Sequence, residues 1–198
     1  MIGLTGSIGM GKTETGKLFA RLGIPVHSAD DVVHRLYDTD GTAVDAISRE
    51  FPGTVRDGRV DRAALAANVA GDEPAFRRLE AIVHPLVRET ELEFLDDATK
   101  RGDELVVLDI PLLFETGGEK RMDVVVVVSA PPNVQRERVL SRPGMTLEKL
   151  EAIHARQVPD VDKRRKADFV IETDKGLEHA FAAVQAIVAQ LRERAARR

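Results

Sequence analysis

The strongest constraint on this chain lies at residues 4–15, LTGSIGMGKTET, where three glycines and a Lys-Thr pair crowd into twelve positions. Gly6, Gly11, Lys12 and Thr13 fit the pattern G-x-x-x-x-G-K-[ST]. Glycine lets a backbone turn tightly enough for successive N–H groups to point inward at phosphate oxygens. A lysine then reaches the β- and γ-phosphates, and the Thr hydroxyl ligates Mg²⁺. The helix that starts here adds the positive end of its dipole. Such a loop needs a strand before it and a helix after it. The apolar Met1–Thr5 and the amphipathic Thr13–Leu22 supply both. A glycine-rich turn that binds nothing is the plain alternative, and this context weighs against it.

Five segments carry contiguous apolar or β-branched residues: Met1–Thr5, Ile24–Ser28, Leu105–Ile110, Asp123–Ser129 and Asp168–Thr173. VVLDI and VVVVV are apolar at both alternating positions, as in strands buried on both faces of a parallel sheet. Helical stretches lie between most of them, so the expected class is a doubly wound α/β sheet. Residues 29–104 hold no convincing strand but several helical patterns: Gly41–Glu50, Asp61–Ala70 with Asp61 as N-cap, Glu73–Ile82, and Pro85–Lys100 beginning at a proline. An inserted helical subdomain explains that gap better than a long loop. The stretch 136–166 is a smaller excursion, with Pro143-Gly144 as a turn and Pro159 at a further break.

At 198 residues the chain is expected to be one core carrying insertions. It has no cysteine, which excludes disulfides and thiolate metal sites and suits a reducing interior. No apolar run approaches the length of a membrane span, and MIGLTGSIG does not read as a signal peptide, so the expectation is a cytoplasmic protein without membrane contact. The formal charge of −4 argues against nucleic acid as a partner. Within it, Arg136 to Lys166 holds nine Lys/Arg against five acids, a segment able to face phosphates or simply a solvated helical face.

A loop of this kind wants an acid at the end of another strand to hold or order magnesium, and LVVLDIP supplies Asp109. A strand-end cap is its other reading. The only asparagines, Asn68 and Asn133, are followed by Val-Ala and Val-Gln, so the guanine-reading N-K-x-D is missing. The chain is also short for a motor. A small-molecule kinase fits, and its acceptor hydroxyl needs a carboxylate to take the proton. VHSADD puts Asp30 and Asp31 at the carboxyl edge of the sheet, where ligands bind in open α/β folds. Asp30 is the candidate base, with Asp31 free to cap the following helix, Val32–Tyr37.

The blocks GLTGSIGMGKT, GIPVHSADDVVHRL, IVHPLVR, LDIPLLFE, VVVVSAPPNVQRERVLSR and ARQ with KRRKADFVI together resemble the dephospho-CoA kinase family across about the whole chain. The resemblance implies a P-loop NTPase fold: three α/β/α layers, a five-stranded parallel sheet, a helical acceptor insertion and a small helical lid. It implies a core of 1–28, 101–135 and 167–198, an acceptor domain of 29–100 and a lid of 136–166. It implies transfer of the ATP γ-phosphate to the 3′-hydroxyl of dephospho-CoA. ATP contacts would come from Gly9, Met10, Gly11, Lys12, Thr13 and Glu14, and Mg²⁺ would meet Thr13 and Asp109. Asp30 would be the base, with Lys12 and one or both of Arg138 and Arg142 facing the transferring phosphate. For either arginine a surface salt bridge is the alternative. His84, on its own a satisfied cap or core residue, would with Arg88 touch the acceptor; Leu112, Phe114 and Glu115, whose plain reading is packing plus a cap, would line its pocket.

Two positions depart from the family pattern. Ser28 stands where the first acid of a D-A-D triplet is usual, which puts the burden on Asp30. Glu14 stands where Ser or Thr is usual, and a carboxylate there is repelled by phosphate unless it points away. Weakened ATP affinity or a re-aimed helix start is the expectation. Two other readings stay open at this level: another small-metabolite kinase, acting on a nucleoside monophosphate, gluconate or shikimate, and a nucleotide-sensing module without catalysis. The sequence leaves the oligomeric state open, with a monomer favoured.

Overall fold

The computed structural model describes residues 1–197, so Arg198, the end of the expected core, lies outside it. In chain order the elements are β1 (Ile2–Thr5), α1 (Lys12–Arg21), β2 (Val26–Ser28), α2 (Ala29–Tyr37), α3 (Val44–Glu50), β3 (Val55–Arg56), β4 (Arg59–Val60), α4 (Arg62–Val69) and α5 (Glu73–Arg101). Then follow β5 (Val107–Asp109), a 3₁₀ turn (Gly118–Arg121), β6 (Val124–Ser129), α6 (Pro132–Leu140), α7 (Leu147–His154), α8 (Asp160–Lys166), β7 (Phe169–Glu172) and α9 (Leu177–Ala196). The chain divides into two compact units, 1–27 with 100–198, and 28–99.

The first unit is organised by a five-stranded parallel sheet of order β2-β5-β1-β6-β7. Strand β1 pairs with β5 on one side, Leu4 against Asp109, and with β6 on the other, Thr5 against Val127. The chain leaves β1 at the point where the strand order reverses, the usual place for a ligand crevice in such sheets. Every residue of β1 and β6 is buried, as strands covered by helices on both faces require. Leu18, Phe19, Val184, Ile187 and Val188 from α1 and α9 cover one face. Leu113 and Phe114 pack against Val125 and Val127 on the other.

The second unit is helical, but it also holds a hairpin that the sequence reading missed. Strands β3 and β4 pair antiparallel through Asp57 and Gly58, both at positive φ, 50° and 74°. Asp-Gly is a strong short hairpin signal because its turn needs positive φ at both positions. Strands of two residues are too short to register as periodicity. Helix α5 is the second difference: the two expected helices are one of 29 residues, with Pro85 inside it. Proline removes one backbone donor from an interior turn. Here Leu79, Ile82 and Val83 before it and Leu86 and Val87 after it pack on one apolar cluster, and that shared burial holds both halves in line.

Two helix starts complete the unit. Asp61 accepts the N–H groups of Ala63 and Ala64 at 3.0 Å, as expected for the N-cap of α4. Neither Asp30 nor Asp31 caps α2, contrary to the capping considered for them; Ser28 does, its Oγ accepting the Asp31 N–H at 3.2 Å. The serine precedes the first helical residue and so can reach the third N–H, whereas both acids lie within the first turn.

We expect Gly58→Ala to lower stability by about 1 kcal/mol in denaturant unfolding, because alanine resists that positive φ. The Ala64 N–H, with the Arg56 guanidinium and the Ala63 N–H assisting, holds the Asp61 carboxyl below its ordinary range. Its contribution is therefore complete above the ordinary carboxylate pKa and is lost as pH falls through the lowered value. Unfolding measured from about pH 6 to about pH 3 should show a shallower acid-side loss for Asp61→Asn than for the native chain.

Candidate active site

The loop between β1 and α1 adopts the form its glycines suggest. Gly9 and Gly11 have φ of 76° and 89°, and both are tightly overlain. A Cβ on Gly9 would stand 2.5 Å from the Val139 side chain, and one on Gly11 about 3.1 Å from Thr173. Lys12 opens α1, and its ammonium forms an ion pair with the buried carboxylate of Asp109 at the end of β5. The loop lysine and the strand-end acid thus meet. Thr13 is exposed beside them in the first turn of α1. Among the described residues no group of three or more His, Cys, Asp or Glu could hold a metal ion. A cation here would need phosphate oxygens and water to complete its shell, with Thr13 and Asp109 as protein ligands, an arrangement that suits Mg²⁺. Glu14 directs its carboxylate to Lys17 at 2.7 Å, both exposed, so its charge is balanced within α1.

Two arginines expected in similar roles differ in their surroundings. Arg138 of α6 donates to the Thr173 carbonyl at 2.7 Å and to Thr173 Oγ1 at 2.9 Å, and reaches the Gly9 carbonyl at 3.5 Å. Arg142, one turn later, is exposed and makes no such bond among the described residues. Both line a cavity of about 310 Å³ with Gly9, Gly11, Glu14 and Thr173. Thr173 is a contributor the sequence reading missed: it follows β7, over 160 residues from the loop, and its Oγ1 donates to the Met10 carbonyl at 2.8 Å. Nothing local in the sequence marks it.

The block after β5 divides its tasks. Leu112 is exposed, while Phe114 is buried in the core beside Leu113. Glu115 accepts the Val158 N–H at 2.8 Å and pairs with Lys163 Nζ at 2.9 Å. Lys163 has no exposed surface at all. The block therefore fastens the segment leading into α8, a role that the KRRK run does not advertise.

In the helical unit, His84 and Arg88 stand one turn apart on α5. His84 Nε2 is 3.8 Å from Glu80, and Arg88 pairs with Glu91. Asp30 is exposed in the first turn of α2. The unit has its own cavity, about 560 Å³, lined by His34, Arg35, Tyr37, Arg59 and Arg62 among others. Arg62 contacts His34 Nε2 at 2.9 Å and lies over the Tyr37 ring. Burial pushes the Tyr37 hydroxyl pKa up, against the pull of Arg62. Arg35 and Arg59 have no carboxylate partner among the described residues. Asp61, on the same wall, is occupied by its capping bonds and Arg56.

Removing one partner of a buried ion pair strands the other charge. Lys163→Met should cost about 3 kcal/mol in denaturant unfolding, and Glu115→Leu added to it should recover part of the loss, since it removes the stranded charge but also the acceptor of the Val158 N–H.

Comparison with known proteins identifies the family. The family model described as CoaE: Dephospho-CoA kinase matches residues 1–179. A protein named dephospho-CoA kinase from Mesorhizobium japonicum is 59% identical over 97% of this chain and 96% of its own length. One of the same name from Rhodopseudomonas palustris is 56% identical over 95% of this chain and 94% of its own. A crystal structure of TT1252 from Thermus thermophilus superposes with a TM-score of 0.81 at 37% identity, covering 96% of both chains. A shikimate kinase from Bacteroides thetaiotaomicron, 18% identical over 95% of this chain and 97% of its own, shares the fold at a TM-score of 0.51. The loop, its strand-end acid and the match along nearly the full length lead to one conclusion: this chain belongs to the dephospho-CoA kinase family.

Proposed function

We propose a division of labour among the residues of this chain for the family's reaction, transfer of the ATP γ-phosphate to the 3′-hydroxyl of dephospho-CoA, which completes coenzyme A synthesis. The observation that carries it is the ion pair of Lys12 with Asp109 at the mouth of the glycine loop. In this reading residues 9–14 receive the ATP phosphates on their N–H groups. Lys12 reaches the β- and γ-phosphates, and Thr13 and Asp109 would be the protein ligands of Mg²⁺. The metal supplies charge neutralisation between the phosphates. The 310 Å³ cavity beside the loop, within the range of small-ligand sites, takes the adenosine.

Arg142 is the arginine for the transferring phosphate. It lines the same cavity with its guanidinium free to bind spread negative charge, whereas Arg138 is spent on Thr173 and Gly9. Asp30 takes the proton of the acceptor hydroxyl. It follows the carboxyl end of β2 without a capping duty, since Ser28 performs that. Residues 29–100 form the acceptor domain and 136–166 the lid. His84 and Arg88 are acceptor-side contacts of the acceptor domain; in the core unit Leu112 is the exposed residue of its block, held by the buried Phe114 and by Glu115. The acceptor also carries a diphosphate, and Arg35, Arg59 and Arg62 offer three guanidiniums around one cavity to receive it. The enzyme acts as a cytoplasmic monomer, as its sequence suggests, and sedimentation in solution checks the latter.

The direct test is formation of coenzyme A from dephospho-CoA and ATP with Mg²⁺; no product at millimolar substrates would end the reading. Asp30→Asn should bind Mg-ADP normally and lose about a hundredfold or more in kcat. A near-native kcat would move the base elsewhere. Arg59→Ala should raise the KM for dephospho-CoA about fivefold and leave that for ATP alone. Equal change in both would remove the cavity from the acceptor site.

A further inference from the structure

Two glutamines close on Ile8, the residue before the first left-handed glycine of the loop. Gln135, buried in α6, donates from Nε2 to the Ile8 carbonyl at 2.8 Å. Gln157, between α7 and α8, accepts the Ile8 N–H on Oε1 at 3.2 Å. The peptides on both sides of Ile8 are therefore fixed by side chains over 120 residues away.

The consequence follows from peptide geometry. In a planar trans peptide the carbonyl and the N–H point in opposite directions. Drawing the Ile8 carbonyl toward α6 turns the N–H of the same peptide, that of Gly9, to the other side. Thr173 treats the next link but one alike: it holds the Met10 carbonyl at 2.8 Å and so turns the Gly11 N–H away from itself. The Ile8 and Met10 carbonyls are gathered outward by side chains, and the N–H groups of Gly9 and Gly11 are left to face the other way.

Gln157 has its own support. The N–H of Val158, the next residue, is taken by Glu115, whose carboxylate also pairs with the fully buried Lys163. Polar contacts from α8 through Glu115 thus fix the backbone at Val158, next to the residue whose side chain reaches the loop.

We propose that Gln135 and Gln157 are positioning residues that set the phosphate loop before nucleotide arrives, and that the Glu115–Lys163 pair holds Gln157 in register. Both glutamines act through the Ile8 backbone. The proposal rests on the reading of residues 9–14 as the ATP phosphate site. A loop without these anchors must be ordered by the nucleotide itself, and that ordering is subtracted from affinity.

Gln135→Met and Gln157→Met keep the length and volume of the side chain and remove its hydrogen-bonding groups. Calorimetry with Mg-ADP and steady-state kinetics on the full chain test them. Each variant should weaken Mg-ADP binding and raise the KM for ATP about five- to tenfold, with the KM for dephospho-CoA within about twofold of native. The Glu115→Leu/Lys163→Met pair should also weaken Mg-ADP binding, to a smaller degree, and should add little to that loss once Gln157 is already Met, because it acts on the loop through that residue. Folded variants that bind Mg-ADP as tightly as the native enzyme overturn the proposal. So does an equal rise in both KM values, the mark of general loosening. Gln157 is partly exposed, so its variant decides the matter even where Gln135→Met lowers the melting temperature. A native enzyme that fails to bind Mg-ADP would instead overturn the phosphate-site reading beneath it.

Discussion

A peptide plane carries its N–H and its carbonyl on opposite sides, and the loop after β1 depends on which side faces out. Left to itself, a glycine-rich segment has little preference. Here Gln135, Thr173 and Arg138 take the carbonyls of Ile8, Met10 and Gly9, and Gln157 takes the Ile8 N–H. These side chains come from α6, from the turn before α8 and from the segment after β7, so the sheet order that sets β6 beside β1 and β7 beside β6 is what delivers them. The fold and the loop conformation are one constraint. Closeness adds to it: a Cβ on Gly9 would collide with Val139 of α6, and one on Gly11 would crowd Thr173.

The buried charges follow the same order. Asp109 ends the strand next to β1 and so meets Lys12, while Glu115, six residues later, turns to the segment before α8. One short stretch after β5 thus serves the front of the loop through one acid and its rear through another. The departure at Glu14 is absorbed locally by Lys17. That at Ser28 coincides with the start of α2, where serine is among the good capping residues.

What the sequence made legible was whatever depends on neighbours in the chain. The five parallel strands, the glycine loop and the Asp61 cap each announce themselves within a few residues, and each is present. Asp57-Gly58 was legible too, but the hairpin strands on either side are too short for alternation to mark them. The continuity of α5 through Pro85 was not, because an apolar cluster gathered from distant helices overrides the local signal. The same distance hid Thr173, Gln135, Gln157 and Lys163. A threonine after a strand, two glutamines and one lysine in a basic run look like ordinary surface residues until the sheet folds them against the loop. Arg138 and Arg142 show the limit most sharply: four residues apart and chemically identical, they are told apart only by what surrounds them.

Lys163 sits in a run of four cations, yet it is the one with no exposed surface. Amine-reactive reagents reach lysines through water, so its neighbours Lys166 and Lys149 will be modified quickly while Lys163 is spared for as long as α8 stays seated. When the reagent is in enough excess to react faster than the segment recloses, the rate at which Lys163 becomes labelled is the rate at which this part of the chain lifts away. The buried ammonium is a built-in clock for a motion that no static picture contains.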